Sequence, residues 1–289
     1  MGGHELSFEF FPPASKKMED SLWNAVEHLA QLKPKFVSIT YGAGGSTRDR
    51  THATVKHIHE KTGLDPAAHL TCVGATIEEV NAVIRGYRDV GVRHIVALRG
   101  DPPDTNGCYI PHPGGYENAA ALTAGIKEIG DFFISVAAYP ETHPESPSQA
   151  ADIEMLKRKI DAGAKQAITQ FFFRTDHFFR YRDEVAAAGI TIPIIPGVIP
   201  VFNLDRIKTF ASRCGTEVPS WLDDRFDGLD EDVVARKAIA AEVALELCED
   251  LQSGGVDQFH FYTLNQADLT LEICRNLGKP DESKGINAK

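Results

Sequence analysis

Eight short apolar runs punctuate the chain, at residues 6–11, 36–41, 67–73, 94–99, 133–139, 167–173, 192–199 and 258–264. Longer segments with the spacing of amphipathic helices lie between them, among them 17–32, 48–61, 77–90, 149–162 and 232–252. Strand–helix alternation implies parallel pairing, because each crossover needs a helix to return the chain to the same end of the sheet. The runs show little apolar–polar alternation, as expected of strands covered on both faces. Eight such units in 289 residues predict an α/β fold of the (β/α)8 TIM-barrel type. An open doubly wound sheet would want a G-x-G-x-x-G turn after an early strand, and none is present; Gly42-Ala43-Gly44-Gly45 reads only as a flexible loop. The interval before the last strand is long enough for two helices, one more than the usual single crossover, with the acidic stretch 221–232 between them. One catalytic domain over 1–289 is expected, ending in a polar tail at 279–289.

Composition narrows the function. Lys plus Arg number 30 against 41 Asp plus Glu, a formal charge of −11, which argues against a nonspecific grip on nucleic acid or an anionic membrane. Small anionic ligands remain open, since they need only a locally basic pocket. Five cysteines form no C-x-x-C pair and leave an odd count, so a reducing compartment, the cytoplasm, is expected. No basic segment precedes an apolar run at the N-terminus, and the most apolar stretch is broken by Pro193, Pro196 and Pro200, so no membrane span is expected.

In barrels of this kind the chemistry sits where the strands end. The first run carries Glu9 among Phe8, Phe10 and Phe11. A charged carboxylate is costly to bury there, which suits a proton donor; the alternative is an outward orientation towards a basic partner. The second run ends in Thr40-Tyr41, the third holds His69 and Thr71, and the fourth ends in Arg99-Gly100-Asp101. The fifth ends in Tyr139-Pro140-Glu141-Thr142-His143, the sixth holds Gln170, and the eighth holds His260, Tyr262 and Asn265. No strand interior carries a lysine, which disfavours a Schiff-base aldolase, and His57 and His59 face different ways on a helix, which disfavours a metal centre. What remains suits a large polar heteroaromatic cofactor. Asp152, Met155 and Lys159 share a helix face, with Lys157 and Arg158 adjacent. That basic cluster reads either as a pyrophosphate contact or as a solvated face.

Seven motifs, taken in order, resemble one family. They are Ser7-Phe-Glu-Phe-Phe-Pro-Pro13, Leu32-Lys-Pro-Lys-Phe-Val37, Arg48-Asp-Arg-Thr-His52, Leu98-Arg-Gly-Asp101, Ser135-Val-Ala-Ala-Tyr-Pro-Glu141, Ile168-Thr-Gln-Phe-Phe-Phe173 and His260-Phe-Tyr-Thr-Leu-Asn265. The chain resembles the bacterial methylenetetrahydrofolate reductases from about residue 6 to 278. The resemblance implies a barrel that binds FAD, takes a hydride from NADH or NADPH, and reduces 5,10-methylenetetrahydrofolate to the 5-methyl form in a ping-pong cycle feeding methionine synthesis. A homo-oligomer, dimer or tetramer, is expected.

The resemblance also implies residue roles. Glu9 would protonate folate N10, and Asp101 would stabilise the cationic iminium and bond the pterin. FAD contacts carry over to Tyr41, Ala43, His69, Arg99, Gly100, Asp101, Tyr139, His143, Asp152, Arg158 and Lys159, and nicotinamide contacts to Thr40, Gln170 and Phe210. Gln170 would also meet folate. Three positions depart from the family pattern: Met155 stands where it has Asn, Arg206 where it has Gln, and Gln266 where it has Arg. The last two touch folate, so one cation for the anionic glutamate tail is kept while its position moves. The loop 102–115 is longer than in the pattern. A flavin barrel oxidising proline or another small amine, and a cofactor-free binding subunit, are the competing classes; Glu9, Asp101 and Gln170 speak against the second.

Overall fold

Residues 4–42, 47–102 and 109–277 are described by the computed structural model. The chain alternates β1 (Glu5–Phe10), α1 (Lys16–Ala30), β2 (Phe36–Ile39), α2 (Arg48–Lys61), β3 (Pro66–Thr71), α3 (Ile77–Asp89), β4 (His94–Leu98), α4 (Ala119–Ile129), β5 (Phe133–Ala138), α5 (Gln149–Asp161), β6 (Gln166–Phe171) and α6 (Thr175–Ala187). It continues through β7 (Ile194–Val198), α7 (Leu204–Cys214), α8 (Ser220–Phe226), α9 (Val233–Ser253), β8 (Gln258–Tyr262) and α10 (Ala267–Asn276). The strands close in sequence order, β1 pairing in parallel with both β2 and β8, so the predicted (β/α)8 barrel is present. Three helices, not two, lie between β7 and β8. The stretch expected to connect them coils into α8, because Leu222 and Phe226 at i and i+4 are both buried beneath its acidic surface. Ala43 and the tail 279–289 lie outside the described residues, as do residues 103–108 of the loop expected to be long.

Local signals explain where helices start. Thr76 and Glu79 form a reciprocal capping box at α3, and Val80, Ile84 and Tyr87 then form its buried stripe. Ser15 caps α1, which buries Leu22, Ala25, Val26 and Leu29. No helix among the described residues is long and apolar enough to cross a membrane.

The strands have two faces, and parity assigns them. On β1, Phe8 and Phe10 are fully buried in the large core between sheet and helices, while Ser7 and Glu9 alternate with them and face the lumen. On β8, Phe259 and Phe261 join that core, and His260 and Tyr262 turn inward. The lumen carries these polar groups beside a small apolar layer of Phe36, Ala67, Val96 and Ile168. Gln166 Nε2 donates to Ser135 Oγ at 2.8 Å, and His94 Nε2 bonds the same oxygen at 2.7 Å. The Phe36 ring contacts His94 (4.6 Å) and His260 (5.8 Å) across the barrel. Burial drives His94 down to about 3, so it stays neutral and serves as a hydrogen-bonding spacer.

Gly197 on β7 leaves room for the Tyr262 ring, whose Oη donates to Thr169 O at 2.7 Å. A Cβ at Gly197 would collide with that carbonyl and with the ring. Gly197→Ala is expected to cost about 1–3 kcal/mol, the range for overpacking a closed core, read as a lowered thermal midpoint. An unchanged midpoint would show that the ring relocates freely.

Candidate active site

Glu9 points into the lumen with 12% of its side chain exposed, its Oε2 3.4 Å from His69 Nε2 and 3.9 Å from His260 Nε2. The outward alternative is thereby eliminated. Strand parity and the two imidazoles set this orientation together. His260 Nδ1 bonds Ser7 Oγ at 2.8 Å, which fixes the ring. Burial pushes the His69 imidazole below its ordinary range, opposed by Glu9 and reinforced by His260.

The Arg99-Gly100-Asp101 turn follows β4. Gly100 adopts φ +85°, and a Cβ there would strike Val73 and Thr71, so glycine is required for this close approach. Val73 N donates to Arg99 O at 3.0 Å and anchors the turn to the end of β3. The Arg99 guanidinium pairs with Glu145 and lies 4.4 Å over the Tyr109 ring. Asp101 is exposed, and its charge reaches Tyr139, His143 and Cys214. Tyr139 and His143 meet edge to face at 4.7 Å, and His143 N donates to Asp152 Oδ2 at 2.9 Å. Burial, with Arg99 adding to it, lowers the His143 imidazole. Thus Arg99, Asp101, Tyr139, His143 and Asp152, predicted from separate segments, do converge.

The basic cluster on α5 does not hold together as expected. Lys159 is buried, its Nζ donating to Ala137 O at 2.9 Å, whereas Lys157 and Arg158 are exposed. Adjacent helical residues lie about 100° apart, so only Lys159 shares the inward face of Asp152. Burial lowers the Lys159 ammonium to about 8, with Asp152 opposing the shift and Arg99 adding to it.

On the other flank, Tyr41 Oη accepts from Arg48 Nε at 3.0 Å, and Thr40 O accepts from Thr51 Oγ1 at 2.9 Å. Tyr41, Arg48, Thr71 and Glu79 line a polar cleft of about 430 Å³ there. Gln170 is half-buried at the end of β6, its Oε1 accepting from Phe171 N at 3.0 Å, and Phe210 is half-buried on α7. Arg206, in the first turn of α7, and Gln266, at the N-cap position of α10, are both exposed on separate helices. Thr71 Oγ1 is buried without a hydrogen-bond partner among the described residues, whereas His69 Nε2 faces Glu9 Oε2.

Sequence reasoning missed one group. His177 Nδ1 stands 3.2 Å from Glu141 Oε1 and its Nε2 3.6 Å from Glu217 Oε2. These residues sit in three separate segments, so no ligand spacing announces them. Arg174 lies 3.7 Å from Glu217 and supplies a cation within the protein, which accounts for the cluster as an ion-pair network.

Lys159 makes stability depend on pH in a defined direction. An unfolded chain holds the Lys159 proton up to its ordinary 10.5, whereas the folded chain releases it near 8. The unfolded state therefore binds more protons between those values, and stability contributed at this position rises with pH across that window. Lys159→Met is expected to be more stable than wild type below pH 8, by as much as about 3 kcal/mol, the gap closing towards pH 10.5. Denaturant titrations at a series of pH values measure it; a gap independent of pH would remove the buried charge as its cause.

Comparison with known proteins agrees with this geometry. The methylenetetrahydrofolate reductase family model matches residues 2–278. The 5,10-methylenetetrahydrofolate reductases of Salmonella typhimurium and Escherichia coli are each 50% identical over 277 residues, covering 96% of this chain and 92% of theirs. Methylenetetrahydrofolate reductase (NADH) 1 of Arabidopsis thaliana is 34% identical, over 98% of this chain and 50% of its own. Among solved structures, a Clostridium thermocellum protein that binds two copies of 5-methyl-5,6,7,8-tetrahydrofolic acid superposes with a TM-score of 0.63 at 14% identity, covering 95% of this chain and 94% of that one. That likeness concerns the fold alone. With half of its residues shared with curated enzymes over nearly its whole length, and with the closed barrel in place, the chain belongs to the methylenetetrahydrofolate reductase family.

Proposed function

We propose that the chain reduces 5,10-methylenetetrahydrofolate to 5-methyltetrahydrofolate with electrons from NADH or NADPH passed through FAD. The observation that carries the reading is the Glu9 carboxyl, held inside the barrel between two imidazoles in a chain of this family.

The residues present fit FAD. Tyr41, His69, Arg99, Asp101, Tyr139, His143 and Asp152 end four adjacent strands or begin the next helix, on one side of the mouth. The partnerless Thr71 Oγ1 lies at the same ends, and the tight Gly100 turn lets main chain approach closely. Arg99 and Lys159 are the cations available to a pyrophosphate, and an anion there would keep Lys159 charged. Arg158 contributes from the exposed face only. FAD, when bound, accepts a hydride from the nicotinamide and delivers one to the folate.

The protein's own part is proton and charge management. The imidazolidine ring of the substrate opens only when N10 is protonated, leaving an electrophilic iminium. Glu9 supplies that proton from within the lumen. Asp101, exposed at the mouth, favours the cationic iminium over the closed ring and accepts hydrogen bonds from the pterin. Gln170 offers an amide at the end of β6, its oxygen already oriented by Phe171 N.

Glu9→Gln keeps the shape and hydrogen-bonding capacity of the side chain but cannot donate the proton. Anaerobic stopped-flow should show flavin reduction by NADH or NADPH near the wild-type rate, and folate reduction slower by about two to four decades. Equal slowing of both half-reactions would make Glu9 structural; normal folate reduction would place the acid elsewhere.

The exchanged Arg206 and Gln266 generate a second expectation. Arg206→Ala should raise the apparent KM for folate, most for polyglutamylated forms, with flavin reduction untouched. Greater damage from Gln266→Ala would show that the cation has not moved.

A further inference from the structure

The turn that leaves β8 grips β1 around Glu9. Thr263 Oγ1 donates to Glu9 O at 2.6 Å, and Thr263 N reaches the same oxygen at 3.3 Å. Two residues on, Asn265 Oδ1 accepts from Phe11 N at 2.8 Å while its Nδ2 donates to Phe11 O at 2.9 Å. One side-chain amide thus satisfies both main-chain groups of Phe11, as a neighbouring strand would. Phe10 O is taken from the opposite side by Thr40 N at 2.9 Å. The main chain from Glu9 to Phe11 therefore has little freedom to shift.

The turn adopts an uncommon conformation to do this. Leu264 and Asn265 both have positive φ, 51° and 57°. Asparagine tolerates the left-handed region and leucine does so poorly, so two such residues in succession mark a backbone held by its surroundings. Thr263 is fully buried, and its Oγ1 also accepts from Asn265 N at 3.2 Å, which ties the turn to itself. The turn begins where the β1–β8 ladder ends, with Tyr262 opposite Glu9, and Leu264 packs against the core.

We infer that Thr263 and Asn265 are positioning residues, which clamp the β1 main chain at Glu9 O and at Phe11 just beyond it and fix where the Glu9 carboxyl points between His69 and His260. The inference rests on the reading of Glu9 as proton donor to the folate. The same turn runs directly into Gln266, whose N donates to Thr263 O at 2.9 Å, so proton donor and tail-facing residue share one rigid support.

Asn265→Gly separates shape from grip, because glycine enters the left-handed region freely but removes both bonds to Phe11. The folate half-reaction should slow by about 10–100-fold, the loss expected when a reacting group is misplaced by about an ångström, with flavin reduction by NADH unchanged. Asn265→Asp keeps the acceptor for Phe11 N and should recover part of the rate. In a Glu9→Gln background, Asn265→Gly should add no further loss, since a residue acting through Glu9 has nothing left to position. Thermal melts and the flavin spectrum check folding; if the glycine variant does not fold, Thr263→Val, which deletes only the hydroxyl, is read by the same criteria. An undiminished folate half-reaction in the folded variant, or a full additional loss in the Glu9→Gln background, overturns the positioning role and leaves the role of Glu9 standing. A normal folate half-reaction in Glu9→Gln alone overturns both.

Discussion

A carboxyl group inside a closed barrel is the constraint around which the rest of this site is arranged. Glu9 cannot turn outward, because Phe8 and Phe10 occupy the opposite face of β1 and anchor the core beneath the helices. A one-residue slip of register would exchange the two faces and put phenylalanines where the imidazoles are. Parity therefore couples stability to chemistry: the same strand that seals the hydrophobic layer must present Glu9 to the lumen. His69 and His260 then supply the polar surroundings that a bare apolar lumen would deny it.

Further polar groups accompany Glu9 along the lumen, beside the apolar layer of Phe36, Ala67, Val96 and Ile168. Ser7, Ser135, Gln166, His94 and His260 bond one another in pairs, and Phe36 separates the two histidine pairs with its ring. An unpartnered group at any of these places would cost free energy, so the lumen is specified nearly as tightly as the outer core. The outer core carries the hydrophobic stabilisation, and the lumen carries orientation.

Most of the fold was legible in the sequence because the strands, covered on both faces, appear as apolar runs, and the helices between them have plain amphipathic spacing. α8 escaped because its two buried residues, Leu222 and Phe226, are embedded in a dense acidic stretch that reads as a loop. The strand-end residues were legible for a geometric reason: in a parallel barrel every strand delivers its C-terminal residues to one mouth. How the basic residues of α5 divide between faces was less legible, because adjacency in sequence is not adjacency on a helix: Lys159 turns inward while Lys157 and Arg158 are exposed. The cluster of Glu141, His177 and Glu217 was invisible because its members come from three segments that only tertiary packing brings together. The left-handed turn at Leu264 and Asn265 left only the letters of a motif, since a positive φ has no unambiguous signature in leucine.

The distribution of charge completes the argument. The chain is acidic, with a formal charge of −11, yet the ligands proposed for it are anionic at their phosphates and glutamate tail. Bulk electrostatics therefore opposes binding, and local cations must overcome it. Arg99 is restrained by Glu145 and Tyr109, and Lys159 is buried against Ala137 O, so neither is a free surface charge. A cation held in low dielectric acts more strongly on a nearby anion than a solvated one, because water and salt screen it less. The cost is that Lys159 sits near the edge of losing its proton when no anion faces it. In the proposed function a negative group facing Lys159 would offset that cost, so the same buried amine would be both a weak point of the fold and an anchor for a phosphate.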